Sequence, residues 1–231
     1  MRIGLCSGAA RPQARSARRR AQYPLILGIA PLPLGLGYCA PPGALLGKTA
    51  MPRPPVFHIA GQAHFVSTNT YNFLPIFHDP AYADILVANL AFYRKHYAFK
   101  LLGYVVMPTH LHVIILPSAK ASISQVMQRL KEYSAKQIVA LAREKGQKTL
   151  LSAFRMAGQQ TSRAKFKVWQ DGFYDFNLYT EAKLREKLRY IHNNPVKEGL
   201  VSDPVEYPYS SCRNYLLDDH SLIEVDTDWF W

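Results

Sequence analysis

Two imidazoles stand two residues apart inside an apolar run: His110 and His112 in MPTHLHVIILP. On a strand, residues i and i+2 project to the same side, so the pair offers its ring nitrogens together while Leu111 and Val113 turn to the opposite layer. That arrangement suits a metal ion or a phosphate. It also suits two half-exposed histidines on an ordinary strand, because a bare His-x-His recurs by accident. A second constellation lies in YIHNNP, where Tyr190 and Asn194 are four residues apart and share one face of a helix. A phenol and an amide oxygen can then be aimed at a single point, and asparagine is a fair oxygen ligand for a hard cation such as Mg2+ or Mn2+. The plain alternatives are a core tyrosine and an Asn-Pro helix stop. Pro195 disfavours the helical conformation at Asn194, which would loosen the shared face. His192, two residues from Tyr190, points away from that face and reads as structural or as a contact to a bound partner.

Several elements must hold these residues. VFHIAGQAHFVS (56–67) mixes β-branched, aromatic and polar residues in rough alternation and predicts a first strand, with Gly61 as a candidate bulge. Asp79-Pro80 starts a helix that runs to about Tyr97. FKLLGYVVM and LHVIILP follow as two short strands separated by Pro108-Thr109, close enough to form an antiparallel hairpin. Ser122 or Ser124 caps the next helix, whose stripe Val126, Leu130, Tyr133, Ile138 and Leu141 is apolar and which ends at Gly146. Residues 147–167 read as an insertion or flexible loop. VWQDGFYDFNLY is a weak strand, and Thr180 caps a final helix through Tyr190 with Pro195 near its end. The order β-α-β-β-α-β, then a helix, predicts an α+β fold. It is the ferredoxin-like split βαβ antiparallel sheet with helices on one face, and the Tyr190 helix follows the fourth strand.

Composition narrows the partners. The 231-residue chain carries a net charge of +12, but the first 50 residues hold seven Arg or Lys and no acid, leaving 21 basic against 16 acidic residues afterwards. That moderate excess suits a polyanion. The first 50 residues also hold 7 of the 13 glycines and 6 of the 16 prolines. Residues 1–50 therefore read as disordered or as a spurious N-terminal extension, and 51–231 as a single domain. A basic cluster before an apolar stretch mimics a signal peptide there, but Pro24, Pro31 and Pro33 interrupt the stretch, which is too short for the ~20 apolar residues of a membrane span. Cys6, Cys39 and Cys212 have no paired spacing, which fits a reducing compartment and a cytoplasmic protein rather than a disulfide framework or zinc ribbon. The basic groups on the helices, Lys183, Arg185 and Lys187 among them, read as the electrostatic footprint of a polyanion or as solvated faces, since several alternate with Glu181 and Glu186. Arg163, Lys165 and Lys167, with Trp169 beside them, suit phosphate and base contacts to single-stranded DNA, and Arg189 stands beside Tyr190.

Taken together, YVVMPTHLHVIILP, WQDGFYDFNLYTEAKLREKLRYIHNNPVKEGLV and YPYSSCRNY occur in the order found in the REP-associated tyrosine transposases, which the chain resembles from about Phe57 to Tyr215. These are relatives of the single-tyrosine HUH transposases. The resemblance implies a ferredoxin-like catalytic domain whose central strand carries the metal-binding pair His110 and His112. It also implies that Asn194 helps hold the metal and that Tyr190 is the nucleophile. Tyr133 competes for that last role, because Tyr133-Ser-Ala-Lys-Gln137 has the Tyr-x-x-x-Gln spacing of the insertion-sequence branch. It lies on the helix before the fourth strand, however, and reads as core.

A phenol with a pKa of ~10 is a poor nucleophile at neutral pH. Attack by Tyr190 on a phosphodiester polarised by Mg2+ or Mn2+ would yield a 5′-phosphotyrosyl intermediate and a free 3′-OH. The expected substrate is single-stranded or hairpin DNA bearing the palindromic repeats, with no membrane involved and with monomer and homodimer both open. The rival readings are a hairpin-binding protein without catalysis and a zinc hydrolase, which would need a third protein ligand.

Overall fold

Alternation and capping decide where the elements begin. In a computed structural model, described for residues 61–161 and 164–229, the chain runs β1 (Ala63–Asn69), α1 (Pro80–Tyr97), β2 (Lys100–Met107), β3 (His110–Leu116), α2 (Ile123–Glu144), α3 (Lys148–Thr161), β4 (Tyr174–Leu178), α4 (Glu181–Lys197) and α5 (Cys212–Leu217). These residues belong to one compact unit, Pro54–Trp231. The expectations for residues 1–50, for the start of the first strand before residue 61 and for Arg163 fall outside the described residues.

Each main helix starts on a side-chain cap. Asp79 accepts a hydrogen bond from the Ala81 amide ahead of Pro80, which needs no amide partner at the first helical position. Ser122, rather than Ser124, forms a reciprocal capping box with Gln125. Thr180 caps α4 through the Lys183 amide at 3.2 Å.

The four strands form one antiparallel sheet in the order β2-β3-β1-β4. This is the α+β architecture expected. Its helices divide between both faces, where the sequence pattern predicts one. On one face Val66, Tyr104, Val106, Leu111, Val113 and Ile115 pack beneath residues of α1 and α2, such as Leu86, Leu90, Val126 and Leu130. On the other, Ala63, Phe65, Val105, Met107, Ile114 and Leu178 pack beneath Leu184, Leu188 and Ile191 of α4. The physical reason is the apolar content of both sheet faces, since β2 and β3 are buried almost throughout and each face needs a cover.

Two local features let α4 settle there. The strand bulge falls at Leu102 between Leu101 and Gly103 on β2, rather than at Gly61, and it turns Leu102 to the α4 side. Gly103 then faces the helix so closely that a Cβ would lie 2.7 Å from Leu188 Cδ2 and 3.0 Å from Ile191 Cδ1. Glycine thus sets how near α4 comes to the sheet.

Residues 148–161 form α3, where the sequence reading has a loop. Its inward side chains Phe154 and Ala157 are fully buried and Leu150 and Leu151 pack beside them, a spacing of three and four that signals a helix. The YPYSSCRNY segment lines the outer edge of β2. Tyr209 O accepts from the Val106 amide and the Ser211 amide donates to Tyr104 O, each at 2.9 Å. An otherwise open strand edge is thereby covered. Among the described residues, no helix is long and apolar enough to cross a membrane.

Candidate active site

The histidine pair lies on β3, which has a neighbour on both sides. His112 is paired with Ser67 on β1 and Val105 on β2. Because residues two apart share a face, His110 and His112 both turn toward α4, with ring centroids 4.7 Å apart. Leu111 and Val113 enter the opposite core, as the alternation requires. Phe65, also on the α4 side, lies nearly parallel to the His112 ring at 5.4 Å and 26°. It wedges that imidazole against rotation.

From α4, Tyr190 approaches the same point. Its ring centroid is 5.5 Å from that of His112 and 6.0 Å from that of Phe65, and the side chain is 42% exposed, accessible to a substrate. Asn194 follows one turn later. Pro195 cannot supply the amide that would bond the Ile191 carbonyl, yet the helix continues to Lys197, so Tyr190 and Asn194 keep one face. Asn194 is buried, and its amide stands 3.5 Å from His110 Nε2. Which amide atom points there is a choice of flip, and an oxygen at that place would be a ligand. The far side of His110 is fixed by Thr109 Oγ1, 2.9 Å from Nδ1, which leaves Nε2 for the site.

Electrostatics favour neutral imidazoles. Burial lowers the His110 pKa to about 4. Burial, and to a lesser degree the neighbouring His110 and Lys187, lowers that of His112 to about 3. The His110–Glu198 approach of 4.0 Å is accordingly no salt bridge at neutral pH, because the ring carries no charge there. Both ring nitrogens of His112 are buried without a hydrogen-bond partner among the described residues. An unsatisfied buried polar group costs about 1–3 kcal/mol, so a neutral, deprotonated nitrogen on a ring beside Tyr190 fits a metal ligand better than it fits a core side chain. Two imidazoles and an amide suit a divalent cation that keeps open positions for phosphate oxygens.

Lys187, one turn before Tyr190, holds its ammonium 5.2 Å from the Phe65 ring, 5.8 Å from Phe176 and 5.5 Å from Tyr190. Sequence reasoning places Lys187 only in a general basic footprint or solvated helix face, gives it no part beside Tyr190, and overlooks Phe65, Thr109 and Glu198. The spacings that could have found Lys187 and Glu198 are Tyr190−3 and Asn194+4 on one helix face.

Other candidates go elsewhere. His192 is buried, with Nε2 2.8 Å from Ser211 Oγ, and is structural. His64 turns to the opposite sheet face, where its Nδ1 meets Asp175 Oδ1 at 2.9 Å. Tyr133 lies on α2 across the sheet from the histidines. It is 42% exposed beside Tyr93, so it is not the core residue expected, while its companion Gln137 accepts from Asn89 in the α1–α2 interface. Trp169, expected to stack on DNA, is instead a core residue: it is 5% exposed, packs on Phe77 and donates its indole N–H to Ser134. A ring buried to this degree leaves no face open for a base. Lys167 is largely covered and paired with Asp171 at 2.7 Å, while Lys165 is exposed and Arg189 half-buried beside Tyr190. On α4, Lys183 and Arg185 pair with Glu186 and Glu181, as the charge spacing predicts.

The sequence model of a family described as "Transposase IS200 like" matches residues 60–194, more than half of the chain. A Haemophilus influenzae protein named as a candidate REP-associated tyrosine transposase is 26% identical over 120 residues, which are 51% of this chain and 61% of that protein. The match thus spans under two thirds of that relative's length. The solved structure of a REP-associated tyrosine transposase bound to a REP hairpin superposes with a TM-score of 0.55 at 21% identity, over 78% of this chain and 95% of the other.

Proposed function

The chain belongs to the IS200-like transposase family, and from that membership and the cluster just described we propose that it is a metal-dependent single-tyrosine DNA strand transferase. Its substrate in this reading is single-stranded or hairpin DNA with palindromic repeats. The observation that carries the proposal is the gathering of Tyr190, His112, His110 and Asn194 from β3 and α4 into one cluster, with the His112 nitrogens unpartnered among the described residues.

His110, His112 and Asn194 would hold the cation, Mg2+ or Mn2+. Bound there, it would supply Lewis-acid polarisation of the scissile phosphodiester. Tyr190 attacks phosphorus through its phenolic oxygen and gives its proton to solvent. The bond between phosphorus and the 3′ oxygen breaks, and that oxygen takes up a proton to leave as a free 3′-OH. The phosphate stays on Tyr190 as a 5′-phosphotyrosyl ester, and attack by a 3′-OH reverses the step, so rejoining needs no nucleotide energy source. Phe65 keeps the His112 ring in its plane, and Lys187 places positive charge beside the tyrosine where the phosphate must enter. Lys165 and Arg189 remain candidates for backbone contacts to the DNA. The zinc-hydrolase alternative takes water as its nucleophile and leaves no role for Tyr190, whose ring centroid lies 5.5 Å from that of His112. The free, buried thiol of Cys212 accords with a reducing cytoplasm.

The test is incubation of the full chain with 5′- and 3′-labelled hairpin oligonucleotides and Mn2+, resolved on a denaturing gel, with mass analysis of tryptic peptides. A DNA adduct on the peptide bearing Tyr190, accompanied by a 3′-OH product, is expected. Hairpin binding with neither cleavage nor adduct would replace the transferase by a DNA-binding protein.

A further inference from the structure

Beyond Asn194, the face of α4 that carries Tyr190 continues for one more turn. The residue there is Glu198, the cap of the helix, four positions after Asn194 and eight after Tyr190. Its Oε1 lies 4.0 Å from His110 Nε2, and its side chain is 42% exposed. Among the described residues, the Glu198 carboxylate accepts no hydrogen bond, although its backbone amide is engaged with the Asn194 and Val196 carbonyls. Nearby, Tyr207 directs its hydroxyl to the Val106 carbonyl rather than to the acid.

Two ligands that each bind one small divalent cation at about 2.1 Å can be no more than about 4.2 Å apart. The Asn194 amide at 3.5 Å and the Glu198 oxygen at 4.0 Å from the same imidazole nitrogen both satisfy that limit. A carboxylate is also the donor that two neutral imidazoles and a neutral amide lack, and oxygen anions are what Mg2+ and Mn2+ prefer.

We propose that Glu198 donates a carboxylate oxygen to the cation held by His110, His112 and Asn194, making the centre a two-histidine, amide and carboxylate site. The proposal rests on the metal reading given above. It also lowers the net charge of the loaded site by one, so the centre remains cationic enough to attract a phosphate and neutral enough to release it.

The test is Mn2+ binding to the metal-stripped full chain without DNA, read from the loss of the free-ion electron paramagnetic resonance signal. Wild type, Glu198→Gln and His112→Ala are titrated in 50 mM and 500 mM KCl. Circular dichroism should be unchanged in Glu198→Gln, whose side chain is exposed and holds no hydrogen bond. The expected result is saturable binding in wild type, its loss in His112→Ala, and about tenfold weaker binding in Glu198→Gln at both salt concentrations, within the range for groups that tune a metal site. A weakening below threefold, with His112→Ala still abolishing binding, overturns the role of Glu198 and leaves the histidine site standing. A tenfold effect that shrinks below threefold in 500 mM KCl marks a screened, through-space attraction and overturns direct ligation. Absence of saturable binding in wild type, or equal binding in His112→Ala, overturns the metal reading and this one with it.

Discussion

The ammonium of Lys187 stands 5.5 Å from the centre of the Tyr190 ring, one helical turn before it, and is held over the faces of Phe65 and Phe176 as well. Cation–π attraction of about 0.5–2 kcal/mol keeps a long, otherwise mobile side chain in place. The charge is only 24% exposed, so water screens it less than the charges on the outer face of α4.

Replacing Lys187 with Met should therefore slow covalent adduct formation by about 10- to 100-fold at saturating DNA, less than the ~100- to 1000-fold lost when a donor in direct contact with the developing charge is removed. Lys187→Arg should recover most of the rate. Single-turnover assays separate this from weaker binding, and an unchanged rate in Lys187→Met would remove the residue from the reaction.

Tyr133 and Tyr190 are equally exposed, yet only Tyr190 shares a sheet face with His110 and His112. Tyr133→Phe should retain strand cleavage within about twofold, and Tyr190→Phe should abolish cleavage while hairpin affinity changes by less than about threefold, since nucleic-acid affinity generally comes mostly from phosphate contacts and only one hydroxyl is lost. Labelled-hairpin cleavage and filter binding measure the two. Cleavage surviving in Tyr190→Phe and lost in Tyr133→Phe would transfer the nucleophile to the opposite face.

Acid should destabilise the metal-free protein in a defined window. Burial lowers the His192 pKa to about 3, that of His110 to about 4 and that of His112 to about 3, against about 6.5 in an unfolded chain. The unfolded state thus binds protons that the folded state refuses. Stability is complete above pH 6.5 and falls as pH drops from 6.5 toward 3. At about 1.4 kcal/mol per pH unit for one such group, at least about 2 kcal/mol should be gone by pH 5. Urea midpoints at pH 7 and pH 5 read this directly, and a flat midpoint between them would contradict neutral buried histidines.

Much of the site is legible before any coordinates, because the relevant physics is local. Strand alternation puts His110 and His112 on one side, helical periodicity puts Tyr190 and Asn194 on one face, and Ser122 and Thr180 announce the helices that follow them. The motif order adds the family resemblance, which the family match over residues 60–194 bears out. What reads poorly is long-range. Phe154 and Ala157 belong to a helix whose apolar stripe is short, and Trp169 resembles an exposed aromatic beside lysines until Phe77 and Ser134 enclose it.

From its sequence alone, then, this protein determined which side chains share a face within each element, since that depends only on the 2.0 and 3.6 periods of the backbone. The tertiary structure decided which faces meet. The Leu102 bulge and the bare Cα of Gly103 admit α4 to the sheet side bearing the histidines, leaving α1 and α2 on the other. A helix is placed by the surface it can bury and the distance at which its side chains fit, and those are properties of residues far apart in the chain.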